Sequence, residues 1–115
     1  WNNTRDLLHE FESALLNSNS ETKIKYTKLY IAYMSKHGRN YVETVPQNQG
    51  LKVYYRFPHE YIKSSLKLVD CSKVGHWTNG ISYFHLTKEE DISEAVRLAK
   101  ESFFYLHKDI YKTTK

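Results

Sequence analysis

The chain has 115 residues, 40% hydrophobic and 26% charged, with a formal charge of +4 and a single cysteine. That length suits one domain with a modest core, the composition excludes a disordered chain, and one cysteine excludes an internal disulfide or a multi-cysteine zinc site. No apolar run is long enough to span a bilayer, and no basic-then-apolar leader stands at the N-terminus, so membrane and secretory classes fall away and the cytoplasm is expected.

From Asn3 to Asn17, Leu7, Leu8, Phe11, Ala14 and Leu15 recur on one helical face. Asn3 or Thr4 is placed to cap this helix, Asp6 lies near its positive end, and NSNS ends it. KIKYTKLYIAYMS is rich in β-branched and aromatic residues and reads as one strand. His37-Gly38 supplies a turn, and RNYVETV reads as a second strand, closed by Pro46 and QNQG. Gly50 is suited there to a positive φ. In LKVYYRF, Leu51, Val53, Tyr55 and Phe57 alternate with Lys52, Tyr54 and Arg56, which predicts a strand with one buried and one polar face.

Pro58 ends that strand, and HEYIKSSLKLV has no clear period. DCSKVGHWTNG follows as a glycine-bounded loop, then ISYFHL as a fourth strand. Thr87 and Glu90 have capping-box spacing ahead of a helix whose apolar stripe runs through Ile92, Ala95, Val96, Ala99, Phe103 and Leu106. Short connections favour antiparallel neighbours, and two one-sided helices need a sheet face to cover. The expectation is a two-layer α+β sandwich: a mostly antiparallel four-stranded sheet with the N-terminal and C-terminal helices on one face. The chain begins at Trp1 rather than methionine and ends in polar KDIYKTTK, so residues 1–115 read as a single domain taken from a longer protein.

A face free of helices would carry Lys52, Tyr54 and Arg56, with Lys28 on the first strand alongside Lys23 and Lys25. Cations and tyrosines on one strand face suit phosphate contact and base stacking, although an ordinary solvated strand has the same pattern. The ten tyrosines serve half-buried strands and binding faces equally well. In the glycine-bounded loop, His76, Trp77 and Asn79 form either a structural turn or a ligand clamp whose aromatic wall includes tyrosines such as Tyr30. Glu21-Thr22-Lys23 has the Glu-x-Lys form of metal-dependent nucleases but lacks a preceding acid on a paired strand. The six histidines show no zinc spacing, and Cys71 with His76 offers at most two ligands, so no metal is expected. Cys71 reads as a buried structural thiol before it reads as a nucleophile. No phosphate-cradling glycine loop is present, and no cofactor is expected.

Several of these motifs together, KLYIAY, RNYVETV, LKVYYRFP, DCSKVGHWTNG and TKEEDISEAVRLAKESF, resemble the bacterial domain of unknown function 5655, whose members carry the label predicted transport protein. The similarity spans roughly residues 22 to 105, and Asp70-x-Ser72-x-x-Gly75-His76-Trp77 followed by Gly80 is its most specific part. The chain departs from the pattern at Thr78, where glycine is frequent, and at Ile81, where an acid is frequent. The resemblance implies an accessory, C-terminal module of restriction-like and other phage-defence proteins, with DNA or another domain of the parent protein as partner. Two functions follow: a non-catalytic recognition module, or a small ligand-binding or enzymatic domain with a pocket around His76 and Trp77.

Overall fold

The computed structural model describes residues 2–73 and 78–111. Helix α1 (Asn2–Ser18) leads into strands β1 (Lys23–Tyr26), β2 (Ile31–Met34), β3 (Asn40–Pro46) and β4 (Leu51–Tyr55). An irregular stretch then reaches β5 (Val69–Asp70), followed by β6 (Ser82–Leu86), a 3₁₀ turn (Glu89–Asp91) and helix α2 (Ile92–Leu106). The sheet is antiparallel throughout, with the order β1-β2-β3-β4-β6-β5.

The α+β class therefore holds, but the sheet has six strands rather than four. KIKYTKLYIAYMS folds as two strands, because Thr27 makes a turn in its middle: its hydroxyl accepts the Tyr30 N–H at 3.0 Å and lies 2.6 Å from the Tyr30 carbonyl. The two residues of β5 are too few for any periodicity to show. Thr4 does not cap α1. Its hydroxyl donates to the Gln47 carbonyl at 2.8 Å and accepts the Gly50 N–H at 2.8 Å, tying the helix to the β3–β4 turn. Gly50 takes the positive φ expected of it, +99°. Ahead of α2 the chain passes through the 3₁₀ turn, so the helix itself starts at Ile92 with Asp91 as its N-cap.

Strand alternation separates two faces. Leu51, Val53 and Tyr55 of β4 align with Val42 and Thr44 of β3, Ile31 and Tyr33 of β2, and Phe84 and Leu86 of β6. This inner face meets both helices: the Tyr33 hydroxyl donates to Glu12 of α1 at 2.8 Å, and the Tyr55 hydroxyl to the Ala95 carbonyl of α2 at 2.9 Å. A bulge opposite Tyr33 and Met34 adds Tyr41 to β3. It turns two consecutive residues inward, and the Tyr41 ring packs edge-on against Phe103 at 5.3 Å. Ser64 donates to Glu94 at 2.6 Å and Arg97 donates to the Lys63 carbonyl, which holds the irregular stretch against α2.

The end of α2 is pinned by a fully buried histidine. His107 Nδ1 lies 2.6 Å from the Phe103 carbonyl, which only accepts, so Nδ1 carries the proton and Nε2 accepts the Ser35 hydroxyl at 2.8 Å. Burial holds its pKa below the ordinary histidine value, and the charges of Arg39 and His37 push the same way. The unfolded chain therefore binds this proton first. Stability should be full above about pH 7 and fall as the pH drops through the unfolded-state value of about 6.5 towards the lower native one. The carboxylates of Glu94 and Asp109, both held down to about 2 by their arginine partners, contribute their own losses only in stronger acid. Urea titrations between about pH 7 and 5 should show the decline in the natural chain and a flatter profile in His107→Gln; equal slopes would overturn the assignment.

Candidate recognition face

The outer face of the sheet, turned away from the helices, carries a row of aligned side chains across six strands: Lys25, Ala32, Glu43, Tyr54, Tyr83 and Val69. Beside it lie Val45, Lys52 and His85, and at the β1 edge Lys23 aligns with Met34. Lys23, Lys25 and Lys52 thus share one face. Lys28 stands exposed in the adjoining β1–β2 turn.

The centre of this face is covered. Residues 78–80 cross it so closely that a Cβ on Gly80 would lie 2.6 Å from the Tyr54 Cβ. The Asn79 N–H donates to Glu43 Oε1 at 2.9 Å, the Ile81 N–H donates to the Tyr55 carbonyl, and the Cys71 thiol reaches the Gly80 carbonyl at 3.6 Å. Glu43 is consequently buried, a carboxylate under a loop in the middle of a sheet. Sequence reasoning passed over it. The available signal was an acid at the one position of YVETV where strand alternation allows an outward side chain between two β-branched neighbours.

Tyr54 is buried, not an exposed stacking ring. Tyr83 packs on it at 5.2 Å, and the Lys52 ammonium sits 5.1 Å above the Tyr83 ring, leaving Lys52 partly exposed as the outermost layer. Arg56 is occupied internally: its Nη1 donates to the Asn40 carbonyl at 2.9 Å and its backbone N–H to Ser102. Tyr30 is half-buried and serves the Thr27 turn through its backbone. Asn79 contributes its backbone to Glu43. His76 and Trp77 lie outside the described residues.

Among the described residues, Cys71 and the Glu-x-Lys run are engaged in the fold. The Cys71 thiol is buried and pushed up to about 11, first by desolvation and then by the Asp70 charge, so it stays protonated at neutral pH. Glu21 pairs with Lys36 at 3.3 Å, and Thr22 is buried against the Tyr41 hydroxyl at 2.6 Å, so the Glu-x-Lys run builds no paired-acid centre. Among the described residues no group of three or more His, Cys, Asp or Glu could hold a metal ion, and no helix is long and apolar enough to cross a membrane. A cavity of about 100 Å³ lies on the helix side instead, lined by Leu15, Tyr41, Phe103 and Phe104 among others.

No family model matches the chain, and no solved structure matches it. The resemblance to domain of unknown function 5655 therefore rests on its motif residues alone. The chain is similar to an uncharacterized protein of Haemophilus influenzae, 31% identical over 77 residues that make up 66% of this chain. It spans only 25% of that relative's length.

Proposed function

We propose that the chain is a non-catalytic recognition module that holds the phosphate backbone of a nucleic acid against its outer sheet face. The supporting observation is the placement of Lys23, Lys25 and Lys52 on that face, with none of them in an ion pair among the described residues. Two of these lysines stand on β1 and one on β4, three strand spacings or roughly 14 Å apart, a span suited to a polymer of phosphates rather than a small anion. With Tyr54 covered and Tyr83 beneath Lys52, contact runs through phosphates and carries little sequence information. The setting we propose is an accessory domain of a bacterial restriction-like defence protein in the cytoplasm, on the strength of the motif resemblance and the free, buried Cys71.

Labelled single- and double-stranded DNA, modified and unmodified, titrated across a salt series should show affinity that falls steeply with salt. In Lys25→Ala/Lys52→Ala the slope of log K against log salt should shrink by about 1.5, close to two lost phosphate contacts. Absence of binding at low salt would sink the reading. An unchanged slope in the double variant would move the contact elsewhere on the molecule.

A further inference from the structure

We propose that the free edge of β1 docks an acidic, extended segment of a partner protein, which joins the sheet as an additional strand. Among the described residues β1 pairs only with β2 and forms one end of the sheet. In the hairpin, the Thr27 N–H donates to the Tyr30 carbonyl, and antiparallel pairing alternates from there. Lys25 and Lys23 bond inward to β2, while the backbone N–H and C=O groups of Ile24 and Tyr26 point away from the sheet. Two residues of main chain are thus presented as a template for a neighbouring strand.

The side chains around that template select its occupant. Lys23 and Lys25 stand exposed on one face of β1, and Lys28 follows in the turn. The nearby acids are engaged, Glu21 with Lys36 and Glu12 with the hydroxyls of Tyr26 and Tyr33. On the other face Tyr26 is 64% exposed and offers a ring for apolar side chains. An incoming strand that alternates acids with apolar residues would set its acids against the lysines and its apolar residues on Tyr26 and Ile24. A second copy fits poorly: the antiparallel registers that pair the whole strand put Lys25 opposite the equivalent of Lys25 or Lys23, like charge on like. The same lysines that blunt the edge against neutral strands and against itself favour an acidic one.

The test uses the full chain and a short peptide alternating glutamate with valine. At saturating peptide, amide exchange of Ile24 and Tyr26 should slow by about tenfold or more, while Val69 on the opposite edge is unchanged. N-methylation of the peptide edge that faces β1 should weaken binding by at least about tenfold. Lys23→Glu/Lys25→Glu should do the same, and a lysine-valine peptide should bind that variant in its place, which also shows that the variant is folded. Equal binding of the N-methylated peptide, or no slowing at Ile24 and Tyr26, would overturn the proposal. Concentration-dependent protection of those amides without peptide would overturn it in favour of a second copy, and protection by an oligonucleotide in favour of nucleic acid. Lys52→Ala, which weakens the proposed phosphate contact, should leave peptide binding intact, so either reading can fail alone.

Discussion

Replacing Phe11 with alanine should cost about 3–5 kcal/mol, the range for truncating a fully buried ring. Phe11 is one of the residues by which α1 meets the sheet: its side chain is wholly buried, with its ring edge-on to Tyr33 at 5.8 Å. The loss includes both the transferred apolar area and the void left behind. Around that void the Tyr33 hydroxyl must keep its bonds to Glu12 and Thr44, so the site has little freedom to collapse. A domain of this size has a net stability of about 5–15 kcal/mol, so the variant would be left with a fraction of it. Thermal unfolding should show a midpoint lower by on the order of 10 °C or more. A loss under about 1 kcal/mol would mean that α1 is not docked as described.

Gly80→Ala should cost about 1–3 kcal/mol and should act at the outer face rather than in the core. The added methyl would stand 2.6 Å from the Cβ of Tyr54 and 3.0 Å from its Cδ2. The Cβ belongs to the anchored end of that side chain, fixed by the strand, so relief requires the 78–80 segment to lift. Lifting breaks the Asn79 bond to Glu43 and uncovers Tyr54, whose phenol burial holds above its usual pKa. Hydrogen exchange at the Asn79 amide should accelerate in the variant, and the Tyr54 phenol should titrate nearer its ordinary value of about 10. Unchanged exchange at Asn79 together with unchanged stability would show that the crossing is looser than its distances imply. Under the proposed function, DNA affinity should change little, because the lysines of the face stand on β1 and β4 rather than on the crossing segment.

The tyrosines show what a sequence leaves open. Ten of them suit half-buried strands and a binding face equally well, and Tyr33, Tyr41, Tyr54 and Tyr55 are buried. Tyr33, Tyr41 and Tyr55 find hydroxyl partners inside the protein, in Glu12, Thr22 and the Ala95 carbonyl. A phenol can join a core wherever a neighbour accepts its proton, and that neighbour comes from another element. Arg56 makes the same point. Its alternation with Phe57 predicts a polar side chain free for a ligand, but its guanidinium donates to the carbonyl of Asn40, which belongs to a different strand.

What the sequence determined by itself was whatever depends on short-range period. The 3.6-residue stripes specified α1 and α2, the two-residue alternation specified the buried and outward sides of β4, and Gly50 marked a turn that needs positive φ. Strand count and the state of the outer face were decided only in three dimensions. A two-residue strand such as β5 exists because β6 pairs with it, and Glu43 is buried because a loop some 36 residues later in the chain crosses above it. Those contacts arise from chain closure over long separations, which no local pattern of residues encodes.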